Sequence, residues 1–373
     1  MNNKKRAIVC VTNDLATDQR VNKTCLTLQK CGYDVMEIGR LLPDSLQLER
    51  PYFTRRTKHF FNHGAIFYAE YNIRLFFYLL FARIDLIFAN DLDTLSAAFA
   101  AAKFRRKRLI YDTHEYFTEV PELIARPKIQ KTWKRIEDFF FPKLNSIITV
   151  NNSIAKLYAE KYNKQIAVIR NIPPTFILDK IKTRAELDLP ENKRVIILQG
   201  SGINVQRGAE EACQAMKYIE NTVLLIIGNG DVVPILKKMA QKENLQEKII
   251  FKDKMPFTEL RQYTINSDLG LAIDKDTNIN YHFSLPNKLF DYIHSNIPVL
   301  ASKLPELQQI IEKYDVGYFI QNHNPEHIAE IINSIFADKK TYLQKKKNTL
   351  NAAKELCWEN EEKILIDLIM NVK

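Results

Sequence analysis

Short β-rich runs alternate with longer helical patterns along the first half of the chain, and this alternation constrains the fold more than any other feature. Helical stretches such as Gln19–Lys30 and Lys131–Phe140 separate the runs. Because alternating strands and helices favour parallel pairing with helices on both faces of the sheet, the pattern predicts a doubly wound α/β domain. The predicted strands are Ala7–Thr12, Asp34–Ile38, Asp85–Ala89, Arg108–Asp112, Ser146–Val150 and Ile166–Arg170.

The pattern stops at Asn171–Pro174 and then starts again. Pro173 and Pro174 can continue neither a helix nor a central strand, so a domain boundary is predicted here. The length of 373 residues also fits two domains of roughly 150 residues each. The strands predicted for the second half are Arg194–Gln199, Val223–Gly228, Lys248–Phe251, Leu269–Ile273, Pro298–Ala301 and Gly317–Ile320.

The predicted organisation has three segments. Residues 1–173 form a first Rossmann-like domain, residues 174–350 form a second, and residues 351–373 form an amphipathic helix that packs back toward the first domain. We expect the two domains to face a central cleft. Doubly wound sheets bind ligands beyond the carboxyl ends of their strands, so the informative side chains are expected just after strands.

Composition excludes several classes of protein. Hydrophobic residues make up 46% and charged residues 26% of the chain, which is typical of a soluble globular protein and not of a disordered or fibrous one. No apolar run approaches the roughly 20 residues that cross a bilayer. The N-terminus lacks a signal-peptide core. The five cysteines show no metal-binding spacing, and we interpret the chain as a cytoplasmic protein with reduced thiols.

The net charge of +10 is concentrated in the first half. Residues 1–173 contain 28 Lys and Arg against 17 Asp and Glu, a net charge of +11, whereas the remainder has a net charge of −1. Between Arg50 and Leu80, cations alternate with aromatic residues, and no acidic residue lies between Arg50 and Ala69. This pattern predicts reversible docking on an anionic membrane surface, at the inner face of the cell membrane. The basic cluster Lys103–Arg108 has no nucleic-acid motif beside it, and no nucleic-acid partner is expected.

Two segments of the second half suit an anionic ligand. A strand leads into the loop with Gly200, Ser201 and Arg207, which a helix follows. Glycines allow close backbone approach to a phosphate, helix N-terminal amides bind anions, and arginine matches phosphate geometry. The second segment starts a helix, and its residues are Ser284, Leu285, Pro286, Asn287, Lys288 and Asp291. Lys288 would face the anion, and Asp291 could accept hydrogen bonds from a ribose diol.

In the first half, two segments follow predicted strands. His114 lies in the sequence Tyr111–Glu115, at a strand end where a site residue is expected. The first loop between a strand and a helix contains Asn13, Asp14, Asp18, Gln19 and Arg20. It has no glycine, so dinucleotide binding at this turn is not expected.

The chain resembles the retaining family 4 (group 1) glycosyltransferases of the GT-B fold, particularly those of bacterial polysaccharide synthesis. The resemblance extends over essentially the whole chain and rests on the order and spacing of six segments and a closing Cys-Trp-Glu. The segments are VTNDLATDQRVNK, YDTHE, VIRNIPP, QGSGINVQRG, LLIIGNGD and SLPNKLFDYIHSNIPVLAS.

The resemblance implies roles for the residues named above. The second domain would bind a nucleotide-diphosphate sugar of the UDP or GDP type, with Arg207 and Lys288 at the diphosphate and Asp291 at the ribose. His114 would lie near the transferring sugar. The loop of Asn13–Arg20 would help to bind a glycan or lipid-linked acceptor. Transfer would retain the anomeric configuration, and it would require no cofactor or metal.

Two positions depart from the family pattern. Phe283 stands where the family has the first Glu of its E-x7-E motif, and Ser201 stands where an arginine is usual. An inactive binding protein of the same fold is therefore one alternative interpretation. A nucleotide-sugar 2-epimerase, which shares the GT-B architecture, is another. Asp91-Leu92-Asp93 matches a metal-nucleotide motif of another glycosyltransferase fold. Because it follows a first-domain strand, no metal is expected there.

Overall fold

The computed structural model of the protein describes residues 4–16, 18–43, 45, 47–175 and 180–371. They fall into two compact units. The first unit contains the chain up to Asn171 and the residues from Glu361 onward, and the second contains Ile172–Asn360. Thr17, within the predicted acceptor-side loop, lies outside the described residues, as do the extreme ends of the predicted outer segments.

The first unit is built on seven strands, which are β1 (Arg6–Asp14), β2 (Asp34–Arg40), β3 (Phe53–Thr57), β4 (Leu86–Asn90), β5 (Arg108–Thr113), β6 (Ile147–Thr149) and β7 (Ala167–Val168). They form one parallel sheet in the order β3-β2-β1-β4-β5-β6-β7. Every residue of β4 is buried, as expected for a parallel strand covered on both faces. The strand order reverses between β1 and β4, where such sheets bind ligands.

Six α-helices connect these strands, and they are α1 (Gln19–Lys30), α2 (Gly64–Phe81), α3 (Leu92–Arg105), α4 (Pro121–Ile124), α5 (Pro127–Phe140) and α6 (Asn152–Tyr162). Side-chain oxygen atoms cap the N-termini of two of these helices. Asp18 accepts a hydrogen bond from the backbone N–H of Val21 at the start of α1, and Asn151 accepts one from Ile154 at the start of α6. Such caps satisfy N–H groups that have no partner inside the helix.

The second unit has six strands, which are β8 (Arg194–Gly200), β9 (Thr222–Gly228), β10 (Ile249–Lys252), β11 (Leu269–Ala272), β12 (Val299–Ser302) and β13 (Gly317–Ile320). Its parallel sheet has the order β10-β9-β8-β11-β12-β13, which reverses between β8 and β11. The helices are α7 (Ala209–Ala215), α8 (Val233–Lys242), α9 (Phe257–Ile265), α10 (Ile279–His282), α11 (Asn287–His294), α12 (Pro305–Tyr314), α13 (Pro325–Ala337) and α14 (Lys339–Glu355). Two apolar clusters of buried side chains form its core.

The last helix, α15 (Trp358–Asn371), contributes most of its residues to the first unit. Glu361 accepts hydrogen bonds from the backbone N–H and the guanidinium of Arg170. Glu362 accepts hydrogen bonds from the Thr27 hydroxyl at 2.7 Å and from Lys30. Two carboxylates thus attach the end of the chain to α1 and to the segment after β7.

Each predicted strand is present with ends shifted by a few residues, and one strand was missed. β3 reads Phe-Thr-Arg-Arg-Thr and lies at the edge of the sheet beyond β2. Its side chains are exposed or half-buried, so its sequence has no run of apolar residues to reveal it. Backbone pairing with Met36–Arg40 defines this strand, and pairing of that kind is not visible in a single sequence.

Candidate functional site

Three loops meet at the carboxyl edge of β8, β9 and β11 in the second unit. The N–H of Ile203 donates to the carbonyl of Asn229 at 2.9 Å, and the N–H of Lys275 donates to the carbonyl of Gln206 at 2.9 Å. Gly208 has a φ of +77°, and a Cβ atom there would lie 2.3 Å from the carbonyl oxygen of Ile273. The predicted loop after β8 therefore needs glycine to pack against the end of β11.

The two predicted cations of this unit come together at one carboxylate. Arg207 Nη1 lies 3.4 Å from Oδ1 of Asp274, and Lys288 Nζ lies 3.5 Å from Oδ2. The Asp274 side chain is completely buried, whereas the Arg207 side chain is 28% exposed. The Arg207 guanidinium also lies over the ring of Tyr281, 4.3 Å from its centroid. Residues distant in sequence thus form a single cationic group at the strand ends.

The electrostatics of this group favour an added anion. Burial lowers the pKa of Lys288, the Asp274 carboxylate opposes this shift, and Arg207 adds to it. Two positive side chains share one negative partner, so the three charged side chains carry a net charge of +1 when ionised. The N-terminus of α11 lies beside Lys288, and helix N-terminal amides carry partial positive charge.

Sequence reasoning missed Asp274. It comes two residues after β11 ends, in the segment Ala272-Ile273-Asp274-Lys275, and an acidic residue just beyond a buried strand is the signal that could have identified it. Its carboxylate holds the side chains of Arg207 and Lys288 within one small region. The predicted cations are therefore neighbours through a residue that the sequence analysis did not single out.

Asp291 lies one turn beyond Lys288 on α11 and faces the end of β8. Its Oδ2 accepts a hydrogen bond from Gln199 Nε2 at 3.0 Å, and Oε1 of the same glutamine accepts one from the Thr264 hydroxyl at 2.7 Å. Gly200 and Ser201 follow directly on the chain. Asp291 is therefore a hydrogen-bonded, half-buried carboxylate beside the predicted loop.

The remaining residues predicted to bind the sugar donor lie just before α11 and at its start. Leu285 packs against the apolar core, and Pro286 is the N-cap residue of the helix, which begins at Asn287. The Ser284 hydroxyl is buried and has no hydrogen-bond partner among the described residues. Phe283, at the position of the missing family glutamate, makes an edge contact with the ring of His282.

In the first unit, His114 directly follows β5 and contacts oxygen atoms with both ring nitrogens. Nδ1 lies 3.3 Å from Oδ2 of Asp91, and Nε2 lies 3.2 Å from Oδ1 of Asn90. Burial by itself would lower the pKa of His114, but the carboxylates of Asp91 and Asp112 outweigh it and raise the pKa overall. The imidazole is therefore held in an environment that favours its charged form.

The predicted acceptor-side loop is divided between two elements. Asn13 and Asp14 end β1, whereas Gln19 and Arg20 are the first residues of α1 and not loop residues. Asp14 accepts a hydrogen bond from the N–H of Ala16 at 3.2 Å. Asp18 is the N-cap residue of α1, as described above.

Arg20 is a buried residue of the first unit. Its guanidinium donates two hydrogen bonds of 2.8 Å to the carboxylate of Asp112 and one of 2.7 Å to the carbonyl of Ile169. A paired, desolvated arginine of this kind joins α1 to β5 and to the segment after β7. We therefore assign Arg20 a structural contact at the strand ends.

The two aspartates of the D-x-D sequence have different partners. Asp91 contacts His114, whereas Asp93 accepts a hydrogen bond of 2.5 Å from the hydroxyl of Thr12. Burial raises the pKa of Asp93 to about 7, with the charge of Asp91 adding to the effect.

One face of α2 exposes large apolar side chains. Ile66, Ile73, Phe77 and Phe81, called the α2 face below, are between 53% and 80% exposed and lie along one side of the helix. Four cations of the same stretch of the chain are also exposed, and they are Arg55, Lys58, Arg74 and Arg83. Not every aromatic residue between Arg50 and Leu80 is at the surface, because Tyr52 and Phe67 are buried. No helix among the described residues is long and apolar enough to cross a membrane.

Two family models match the chain. The model for group 1 glycosyl transferases matches residues 179–352, and the model for glycosyltransferase family 4 matches residues 19–172. Together they cover both sheets. The chain belongs to the group 1 glycosyltransferases. No curated protein sequence is significantly similar to it.

Solved structures of this glycosyltransferase fold align over nearly the whole chain. Sucrose-phosphate synthase from Thermosynechococcus elongatus has a TM-score of 0.80 at 16% identity, over 98% of each chain. Anabaena HepE in complex with UDP-glucose has a TM-score of 0.76 at 13% identity, over 98% of this chain and 100% of that one. WaaG, a glycosyltransferase involved in lipopolysaccharide biosynthesis, has a TM-score of 0.66 at 14% identity, over 98% and 100%. These likenesses confirm the predicted GT-B fold.

Proposed function

We propose that this glycosyltransferase moves a sugar from a nucleotide-diphosphate donor of the UDP or GDP type to a glycan or lipid-linked acceptor in bacterial surface polysaccharide synthesis. The observation that supports this most is the convergence of Arg207 and Lys288 on Asp274 beside the start of α11. A diphosphate is the ligand chemistry that fits two cations and a helix N-terminus. A UDP-glucose complex of a protein with the same fold, and the lipopolysaccharide role of WaaG, support the donor and acceptor classes.

The proposed mechanism stabilises the leaving group electrostatically. As the bond from the sugar to the diphosphate breaks, negative charge grows on the phosphate oxygens, and Arg207, Lys288 and the α11 amides are placed to neutralise it. Asp291 binds the ribose. Retention follows if the acceptor hydroxyl attacks from the side of the departing diphosphate and gives its proton to a phosphate oxygen. No metal takes part in this scheme.

A donor screen followed by product analysis tests the function. We expect one of UDP, GDP, ADP or TDP to raise the melting temperature of the full chain above the others, and the corresponding nucleotide sugar to be consumed when an acceptor glycan is added. Proton NMR of the product should show the anomeric configuration of the donor. Consumption of the donor with inversion would contradict the retaining mechanism. Conversion of the donor sugar to its 2-epimer without an acceptor would favour the epimerase instead.

We further propose that the enzyme works at the inner face of the cell membrane, with the α2 face against the lipid. Exposed apolar side chains flanked by cations suit an anionic interface, because the apolar groups bury shallowly while each Lys or Arg contributes about 1 kcal/mol near the surface. Flotation with liposomes tests this. The protein should float with anionic vesicles at low salt, float less at high salt and remain unbound to neutral vesicles. Failure to float with anionic vesicles at low salt would favour a soluble acceptor.

A further inference from the structure

Asp91 has a backbone conformation that L-amino acids rarely adopt. It directly follows β4, and its φ of +59° and ψ of +163° lie in a region used almost only by glycine. The surrounding chain holds it there, because its N–H donates to the carbonyl of Asp112 at 2.9 Å and its own carbonyl accepts a hydrogen bond from the Thr94 hydroxyl. Strain of this kind persists only where the surrounding structure holds the residue, and such positions cluster at functional sites.

Both carboxylate oxygens of this strained residue contact His114. Oδ1 accepts a hydrogen bond of 3.2 Å from the backbone N–H of His114, and Oδ2 lies 3.3 Å from Nδ1 of its ring. One carboxylate therefore fixes both the backbone and the ring of the histidine. Such a double contact sets the direction in which the imidazole points.

The other ring nitrogen also faces an acceptor. Nε2 of His114 lies 3.2 Å from Oδ1 of Asn90. The amide orientation of Asn90 is set by its Nδ2, which donates to the carbonyl of Cys10 at 3.0 Å, so Oδ1 is the atom toward the ring. A neutral imidazole donates through only one nitrogen, whereas an imidazolium donates through both. The pair of oxygen partners therefore favours the charged form.

We propose that Asp91 is a positioning residue for sugar transfer, which holds His114 as an imidazolium that acts as a fixed cation and hydrogen-bond donor and not as a proton acceptor. This inference rests on the proposed function for its role in transfer. Since neither ring nitrogen keeps a lone pair, the proton of the acceptor hydroxyl goes elsewhere, in agreement with its transfer to the leaving phosphate.

Three further carboxylates and one guanidinium also act on the charge of the ring. Asp112 lies 3.7 Å from Nε2 and is itself paired with Arg20, whose positive charge opposes protonation of the histidine. Asp18 adds a weaker favourable interaction. Asp93 interacts electrostatically with both Asp91 and His114. Of these groups, Asp91 is the carboxylate that directly contacts both the backbone and the ring of His114.

Nitrogen-15 NMR of the full chain labelled at its seven histidines tests the protonation state, and H114Q identifies the signal. In the wild type, we expect the His114 ring to titrate above the usual pKa of an imidazole, because Asp91 and Asp112 raise the pKa of the ring. In D91N, the ring should titrate at a lower pH than in the wild type. D85N, which alters an aspartate before the other end of β4, should leave the signal unchanged. A wild-type ring that titrates at or below the usual pKa of an imidazole, or the same titration in D91N, would overturn the proposal.

The melting temperatures of two variants separate the effect of backbone strain at Asp91 from the effect of losing its side-chain contacts. D91G and D91A both lack the carboxylate, but only glycine fits the backbone conformation, so D91G should unfold at a higher temperature than D91A. Equal melting temperatures would show that the residue is not strained. Because D91G relieves the backbone, it also serves as the folded variant for NMR if D91N does not fold.

Activity adds a readout that a structural role alone would not change. The wild-type rate should fall as the pH rises through the titration of His114, and this fall should move to lower pH in D91N. A rate that instead rises through the same titration would identify His114 as a proton acceptor and contradict the proposal. If no nucleotide sugar is turned over, the proposed function fails, while the NMR titration still decides whether Asp91 controls the protonation of His114.

Discussion

Asp274 places the two cations of the second unit beside each other, and their removal should reveal what they bind. R207A and K288A should each weaken nucleoside-diphosphate binding by about 1.5–3 kcal/mol, the range for hydrogen bonds to charged groups. Isothermal titration calorimetry with the diphosphate chosen by the donor screen measures this. K340A, which alters an exposed lysine on α14, is the matched control and should bind as the wild type does. Unchanged affinity in both site variants, with folding intact, would remove the diphosphate assignment.

Glu37 makes the folding stability of the first unit depend on pH. It lies on β2, and its side chain is completely buried. Burial raises the pKa of Glu37 from 4.5 to about 7, with Arg50 opposing the shift. A raised pKa means that the folded state prefers the neutral acid. The contribution of Glu37 to the stability of the folded state is therefore fully present below the pKa that Glu37 has in the unfolded chain. It is lost as the pH rises through 7.

The variant E37Q, which mimics the neutral acid, should therefore gain stability relative to the wild type as the pH increases. At pH 4 the two proteins should unfold at nearly equal denaturant concentrations. At pH 8, E37Q should be more stable by about 3 kcal/mol, since raising a pKa from 4.5 to about 7 costs about 1.4 kcal/mol per pH unit. E330Q, at an exposed position on α13, provides the control. A difference that does not change between pH 4 and pH 8 would show that Glu37 does not titrate in this range.

The sequence could predict which residues lie near strand ends but not which of them touch. Arg207, Lys288 and His114 were found because each follows a strand or starts a helix, positions that local patterns reveal. The contacts of Asp274 and Asp91 depend on where separate loops meet after folding, and in the case of Asp91 on an unusual backbone conformation. Such contacts leave no periodic signal in one sequence.

At the scale of elements, periodicity revealed nearly the whole sheet of each unit, because buried parallel strands read as short apolar runs. It did not reveal which face of α2 is covered. Phe67 and Phe77 are both aromatic residues of this helix, yet the first is 3% exposed and the second 53%. Only packing against the rest of the unit distinguishes them, and the sequence pattern therefore did not show which aromatic residues are at the surface.

The α2 face can be tested by changing its charge. The double variant F77E/F81E removes two exposed apolar side chains and adds negative charge, so it should bind anionic vesicles at least tenfold more weakly, a loss of about 1.4 kcal/mol. The control L343E/L350E makes the same changes at half-exposed leucines of α14 and should bind vesicles as the wild type does. Vesicle flotation measures both. Equal flotation of F77E/F81E and the wild type, with nucleotide binding preserved in each, would exclude the α2 face as the docking surface.

At the scale of the whole molecule, the two units have the same architecture and different electrostatics. Residues 1–173 carry a net charge of +11 and the remainder carries −1. The excess lies in the unit with the α2 face, whereas the cations after residue 173 are balanced by carboxylates, and two of them, Arg207 and Lys288, come together at Asp274. This division agrees with a first unit that meets an extended anionic surface and a second unit that binds one small anion.

The chemistry of the whole enzyme should not depend on a divalent metal. The charge on a leaving diphosphate would be neutralised by Arg207, Lys288 and the start of α11, while Asp91 and Asp93 are engaged by His114 and Thr12. Sugar transfer should therefore proceed at an unchanged rate in excess EDTA, measured by release of the nucleoside diphosphate. R207A assayed in parallel should be slow with or without EDTA, because the cation that replaces the metal is missing. Complete loss of wild-type activity on chelation, with recovery on addition of Mg²⁺ or Mn²⁺, would contradict the metal-free mechanism and make Asp91 and Asp93 the first residues to test as metal ligands.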